Sequence, residues 1–379
     1  MGGREGGGPV VPTLVKQTLM PEVAHSGEDH RKARLIRSCD HFGIATARGT
    51  KPLGWGLNGG PLSRSVEALL ELWDRLDIDG IPLLHAPYIG PTLVSNDSYR
   101  EDEWGMGYRP QKYASGVYWE QVRYPLAEAE TISDLEAYRW PDPDWYDYGA
   151  LPHLALQCPD RAIMTGLAMP FYYHNGLRGL EESMMDPILR PEFTHYLLDR
   201  IMDFFVEYSR RCLEAARGSA DMLPILDDYG SQRGLLISQR MFEKFYRRPL
   251  QRAVEVARSF GVIAFHHDDG DCRALLPALV DIGMDVLNPV QWRCGDWDLA
   301  AVKAQYGDRL CFHSGLDNQH TVPFGTPEEI RAEVRWLIET LACDHTGFIL
   351  APAHNIQAVT PIENILAVYD AAREYGTFA

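Results

Sequence analysis

No two cysteines in this 379-residue chain stand in a CxxC pair, and the seven that occur (Cys39, Cys158, Cys212, Cys272, Cys294, Cys311 and Cys343) are scattered over its whole length. An odd, widely spaced set argues against a disulfide framework and against a four-cysteine zinc site, so reduced thiols are expected. No apolar run approaches the roughly 18 residues that would cross a bilayer. The start, MGGREGGGPVVP, has no apolar stretch of the kind a secretory leader carries. A cytoplasmic protein is expected. Positive charge is also scarce: Lys+Arg number 36 against 53 Asp+Glu, a formal charge of -17, which repels phosphate backbones and anionic lipid surfaces. Neither nucleic acid nor a membrane is expected as a partner. No GxSxG occurs, and neither GxGxxG nor GxxxxGK[ST] follows any of the six strand candidates named below, which removes the usual sequence grounds for a serine hydrolase or a phosphate-cradling open sheet.

An apolar fraction of 45% over this length can fill the core of one large α/β barrel or of two ordinary domains. Residues 1–8 read as a disordered tail, since four of the first seven are glycine. From about 30 to 160 the pattern is irregular, with a helix predicted over Ser65 to Leu76 and aromatic, Pro-rich stretches such as DEWGMGYRPQKY and YRWPDPDWYDY. Segments in about 85–150 are expected as a cap over a pocket or as a packed surface layer.

The second half alternates short apolar runs with longer amphipathic ones. The runs are IMTGLAMPFYYHN (163–175), MLPILDDYGSQ (222–232), VIAFHHDDGD (262–271), MDVLNPVQ (284–291), RLCFHSGLDNQ (309–319) and GFILAPAHNIQ (347–357). Each is apolar first and polar last, as a strand with a functional C-terminal tip would be. Helices are expected between and after them over Pro191–Arg217, Ser238–Phe260, Cys272–Ile282, Trp297–Tyr306 and Pro327–Ala342, the last capped by Thr326. Repeated strand–helix units predict a distorted (β/α)8 TIM-type barrel over residues 9–379 with an irregular N-terminal extension; a doubly wound open sheet is the runner-up. In a barrel the strand tips converge on one face and form one site.

The densest tip is FHHDDGD, where alternation puts His267 and Asp269 on one side. With His354 from the last tip they make two imidazoles and a carboxylate, a set for a divalent cation, Zn²⁺ first and Fe²⁺ second. His267 and Asp269 paired without metal is the alternative. Asp228 is the expected inward aspartate of LDDYGSQ, as an orienting group or general base, and Asp227 the one held by a loop or a helix N-terminus. Tyr173, His174, Tyr229, Gln232, Asn288, Gln291, His313, Asp317, Asn355 and Gln357 are expected to read a small polar substrate. His267 and His354 join Asp228 as catalytic candidates.

At these tips the sequence resembles the uroporphyrinogen decarboxylase superfamily, in its branch of cobalamin-linked methyltransferases and O-demethylase components. The resemblance rests on LDDYGSQRGLLIS, FHHDDGDCRALLPALVDIGMDVLNPVQ, FHSGLDNQHTVPFGTPEEI and LAPAHNIQAVTPIENILAVYDAA, with DEWGMGY and PLAEAETISDLEAYRWPDP as weaker matches upstream. It implies a distorted (β/α)8 barrel, and a zinc ion held by a His-x-Cys pair and a distant cysteine. His267 then matches the family histidine, while Asp269 and His354 stand where the two thiolates would be, leaving a harder N/O set. His354 also matches the substrate-pocket histidine of the decarboxylases, but the arginine-rich RQAGR segment has no counterpart around KPLGWGLNGG, which disfavours a porphyrinogen octacarboxylate. The resemblance implies a methyltransferase or demethylase acting on a small methylated, methoxy-type substrate. The corrinoid would be carried on a separate protein, because no DxHxxG segment occurs here; a homodimer is compatible. A cofactor-independent decarboxylase or lyase on a small carboxylated substrate, and a non-catalytic ligand-binding barrel, are the alternatives.

Overall fold

The computed structural model describes residues 71–376, apart from 72, 75, 77, 114, 115, 159, 160 and 358, together with two short strands nearer the N-terminus. The expected tail over 1–8 and most of the helix over Ser65–Leu76 lie outside the described residues.

Nine short strands form one parallel sheet: β1 (Ile36–Arg37), β2 (Gly43–Ala45), β3 (Pro82–Leu84), β4 (Met164–Thr165), β5 (Met222–Leu226), β6 (Ile263–His267), β7 (Val286–Asn288), β8 (Cys311–His313) and β9 (Phe348–Leu350). Their order is β1-β9-β8-β7-β6-β5-β4-β3-β2. The two edges are therefore β1 and β2, which only residues 38–42 separate. Five residues span no more than about 22 Å, so the sheet must curl back towards itself as a barrel. Strands buried on both faces read as continuous apolar runs, and β5 (MLPIL) and β9 (FIL) are buried at every position.

Among the described residues, the helices of seven residues or more are α1 (Pro170–Arg178), α2 (Leu180–Leu189), α3 (Pro191–Ala215), α4 (Arg247–Phe260), α5 (Leu276–Ile282), α6 (Leu299–Tyr306), α7 (Pro327–Leu341) and α8 (Ile362–Tyr375). Local chemistry sets their ends. Thr326 opens α7 with a capping box closed by Glu329, and α4 stops at Gly261, which takes the left-handed conformation at φ 67°.

One predicted strand ends early. Only Met164–Thr165 of 163–175 is strand; Pro170 occupies the first turn of α1, and the Asp227 carboxylate accepts the Phe171 and Tyr172 amides at 3.1 and 2.9 Å. An anion at a helix N-terminus satisfies donors that the helix itself cannot. Residues 85–150 are more regular than expected: Ser95–Asn96, Tyr99–Glu101, Gly107–Tyr113 and Gly116–Arg123 form an antiparallel sheet. Its aromatic residues pack. Trp104 is buried against Tyr173, Phe204 and Phe205, with ring centroids 4.5, 4.9 and 5.6 Å apart. Among the described residues no helix is long and apolar enough to cross a membrane.

Arg178, at the end of α1, ties this layer to the barrel. Its fully buried guanidinium grips Asp186 through Nε and Nη2 at 2.7 and 3.1 Å, and donates to the carbonyls of Leu126, Ala127 and Ala129. Burial alone would raise the Asp186 pKa; hydrogen bonds from His174 and Arg178 outweigh it and hold the carboxyl below the ordinary range. Arg178→Met takes two hydrogen bonds from the buried Asp186 carboxylate, which keeps Arg190 Nε at 2.9 Å on Oδ1, and removes the side-chain donor to three carbonyls, so a loss of about 2–3 kcal/mol is expected. Urea denaturation measures it, and an unchanged midpoint would show that the clamp is not structural.

Candidate active site

The β5, β6 and β7 tips meet because the parallel ladder aligns them: His267 lies opposite Leu226 on one side and Asn288 on the other. Residues just beyond Leu226 and His267 therefore emerge together. Asp228 Oδ1 accepts the Asp269 amide at 3.0 Å. His267 Nε2 lies 3.6 Å from Asp228 Oδ1 and 3.9 Å from Asp269 Oδ2, and one ligand atom from each of the three can be chosen so that all lie within 4.8 Å of one another.

Glycine permits the close approach of the loops after β5 and β6. A Cβ on Gly230 would lie 2.4 Å from the Asp269 carbonyl, and one on Gly270, at φ +88°, would lie 2.5 Å from the Ser231 amide. Neither position tolerates a side chain without moving backbone.

Asn288 fixes the imidazole of His267. Its Oδ1 accepts from His267 Nδ1 at 2.7 Å, and its Nδ2 donates to His313 Nδ1 at 2.6 Å. The proton of a neutral His267 is thus on Nδ1, and the Nε2 lone pair faces two carboxylates. Facing a lone pair to negative charge is unfavourable unless a cation, a proton or a metal ion, lies between. Burial alone would lower the His267 pKa; the charges of Asp269 and Asp228 and the bond to Asn288 outweigh it and raise it. Burial drives His313 the other way, down to about 3.

Behind this group, His266 and Asp268 point to the other side of β6. Asp268 Oδ1 accepts the Tyr229 and Gly230 amides at 2.9 and 2.8 Å, which fixes the cavity wall after β5. Burial, with the Asp228 charge, pushes the Asp268 carboxyl well up, and burial takes His266 down to about 4. The two side chains lie 3.6 Å apart.

His354 stands one step out. Its Nδ1 accepts the Asn355 amide at 2.8 Å, so Nε2 carries the proton of the neutral ring, and it lies 3.6 Å from Asp269 Oδ2. Burial is the main cause of its lowered pKa. The compact group that could hold a cation is thus Asp228, His267 and Asp269, whereas sequence reasoning grouped His354 with His267 and Asp269 and gave Asp228 an acid–base role.

A cavity of about 750 Å³ opens beside these residues. Asp269 and His354 line it with Gln232, Gln291 and Gln357. Gln291 is committed to the framework, accepting the Gly270 amide at 2.6 Å and donating to Asp269 Oδ1 at 3.1 Å. Asn355 is half-buried beside His354.

Other expected substrate contacts lie elsewhere. Tyr173 packs on Trp104 and Phe205, and His174 is sealed between Tyr246, at 2.8 Å, and Asp186, because both sit on α1 rather than on a strand tip. Tyr229 is buried and donates to Asp227 at 2.8 Å. Asp317 is bound to Arg293 at 2.6 Å. Asn288 and His313 are buried behind His267. Sequence reasoning missed Asn318, Leu236, Phe324 and Val359, which line the cavity. Asn318 adjoins Asp317, which was singled out; an apolar residue such as Phe324, at the end of the short helix Thr321–Phe324, gives no such signal.

Fold and site together define a (β/α)-barrel protein with an acidic, imidazole-bearing site at the C-terminal ends of its strands. The chain belongs to the uroporphyrinogen decarboxylase family, whose model, described as Uroporphyrinogen decarboxylase (URO-D), matches residues 111–375. It is 28% identical over 217 residues to the methylcobamide:CoM methyltransferase MtaA of Methanosarcina barkeri, covering 57% of this chain and 59% of that enzyme. It is 25% identical over 190 residues to the uroporphyrinogen decarboxylase of Chlorobaculum tepidum, covering 48% of this chain and 50% of that enzyme. The chain thus spans between half and three fifths of these curated relatives' lengths. A solved methyltransferase from Methanosarcina mazei shares the fold, with a TM-score of 0.56 and 20% identity over 72% of this chain and 76% of that one.

The charge pattern gives a direct expectation for histidine-resolved NMR of metal-free protein. His267 titrates above 6.5, while His266 and His313 stay neutral at pH 5.5. Asp269→Asn removes one of the carboxylates that favour the imidazolium and lowers the His267 value. A His267 that titrates below 6.5 in the parent protein contradicts this electrostatic reading.

Proposed function

We propose that this protein is a methyltransferase that moves a methyl group between a small methylated substrate and a corrinoid held on a separate protein, with a divalent cation bound at the barrel mouth. One observation carries the cation site: the His267 Nε2 lone pair, oriented by Asn288, faces the Asp228 and Asp269 carboxylates. The donor set fits a hard or borderline divalent ion, since it offers two carboxylates and an imidazole nitrogen and no thiolate. Cys272, three residues beyond Asp269, is buried, and burial pushes its thiol pKa well up.

When bound, such a cation supplies Lewis acidity to a substrate oxygen or sulfur. The chain's own residues do the rest. Asn288 holds the His267 ring in one tautomer, which is how outer partners tune ligands. Gln291 holds the Asp269 carboxylate, and His354, on its other side, offers Nε2–H toward Asp269 or to a substrate acceptor. The similarity to the Methanosarcina barkeri methyltransferase supports methyl transfer over decarboxylation. So does the cavity, where among the described residues no Lys or Arg is present to bind several carboxylates.

Elemental analysis of purified protein is expected to find one divalent ion per chain, lost in His267→Ala. Asn288→Leu keeps the ligands but frees the ring, and is expected to weaken metal binding about 10–100-fold in a chelator competition. Methyl transfer with a corrinoid protein added should fall in step. No stoichiometric metal, or full activity after exhaustive chelation, would rule out the cation role.

A further inference from the structure

The cavity beside Asp269 has a composition that restricts its ligand by charge. Among the described residues that line it there is no Lys or Arg, and its ionisable side chains are Asp269 and His354. Asp228 adds a second carboxylate next to it. An anionic ligand would meet two like charges and no fixed cation. A divalent ion held by those carboxylates would bring the group to no net charge, so the cavity would still offer an anion no excess of positive charge.

What the cavity does offer is primary amides with hydrogen-bonding capacity left over. Gln232 uses its Oε1 on the Cys294 thiol at 3.3 Å, and Gln357 uses its Nε2 on the Asn355 carbonyl at 3.1 Å. Among the described residues the Gln232 NH₂ and the Gln357 side-chain carbonyl meet no hydrogen-bond partner and remain for a ligand, as do the side chains of Asn318 and Gln319. A mixed set of neutral donors and acceptors suits hydroxyl groups, each of which donates and accepts at once. One side of the same cavity is apolar: Phe324, Leu236 and Val359 line it while being 70%, 48% and 60% exposed. A ring with a C–H face and a hydroxyl edge satisfies both sides, as the few polar groups fix orientation and the apolar surface supplies burial.

We propose that the substrate read by this cavity is an uncharged, hydroxyl-rich ring compound carrying its methyl as an ether. The methyl ether rests on the function proposed above; the neutral, polyhydroxylated character rests on the cavity alone. Gln232, Asn318, Gln319 and Gln357 are the specificity-determining residues, and Phe324 is the face on which the ring packs.

Calorimetric titration of the metal-loaded full chain tests this with methyl α-D-glucopyranoside and a mono-O-methyl inositol as neutral probes, 3-methoxybenzoate as the anion and tetramethylammonium as the cation. The expected result is saturable binding of at least one neutral ether, at least about tenfold tighter than either charged probe. Phe324→Ala and Gln319→Leu, both at exposed positions, should each weaken it about fivefold or more without changing the melting temperature of the free protein. Equal or tighter binding of either charged probe, or no saturable binding of either neutral ether, overturns the proposal. Neutral-ether binding without methyl transfer to a corrinoid protein supports the ligand class and counts against the reaction. Transfer from 3-methoxybenzoate alone does the reverse.

Discussion

The ladder register between β5, β6 and β7 is the constraint on which the site depends. His267 is the last paired residue of β6, opposite Leu226 and Asn288, so the strands release their polar continuations at one level. Period-two alternation then sends His267 and Asp269 inward and His266 and Asp268 outward. A slip of one residue would exchange these pairs, placing His266 and Asp268 in the barrel mouth and His267 and Asp269 among the helices. The bare contact of Gly230 with Gly270 reinforces the level, because the two loops interlock only where neither has a side chain.

From that register follows a graded electrostatic arrangement. Deep in the barrel, His313 is neutral and accepts from Asn288; at the level of the tips, His267 favours a positive charge; beyond it lie the two carboxylates. The carboxylates of Asp228 and Asp269 are gathered where a cation can reach them. His354 and Gln291 border Asp269 from two sides, so the carboxylate is oriented before a ligand arrives. Such preorganisation places the reorganisation cost in folding rather than in binding.

Much of this was legible in the sequence because parallel strands leave a plain mark: apolar runs that end in polar tips, with a capped helix after them. The barrel, α7 with its Thr326 cap, and the pairing of His267 with Asp269 all followed from that pattern. Tyr173 and His174 did not, since an apolar run before a proline can end as strand or start a helix, and only the Asp227 carboxylate, over 50 residues away, decides for helix. Asn288 and His313 were recognised as polar tips, but short tips do not reveal depth, and both sit beneath the ring they serve instead of facing substrate. The antiparallel sheet within 95–123 was hidden by its aromatic and proline content, whose packing against α1 and α3 is a tertiary matter. Asp228 as a third ligand depended on the relative height of two loops, which no spacing within one strand encodes.

The central claim is a cation held by carboxylates and imidazole at positions where the family resemblance would imply thiolates. X-ray absorption spectroscopy of zinc-loaded protein at the zinc edge reports the identity of the ligands directly. The expected spectrum is a shell of nitrogen and oxygen neighbours at about 2.0–2.2 Å with an imidazole signature that disappears in His267→Ala. A sulfur neighbour at about 2.3 Å, or a spectrum that the His267 substitution leaves unchanged, would contradict it.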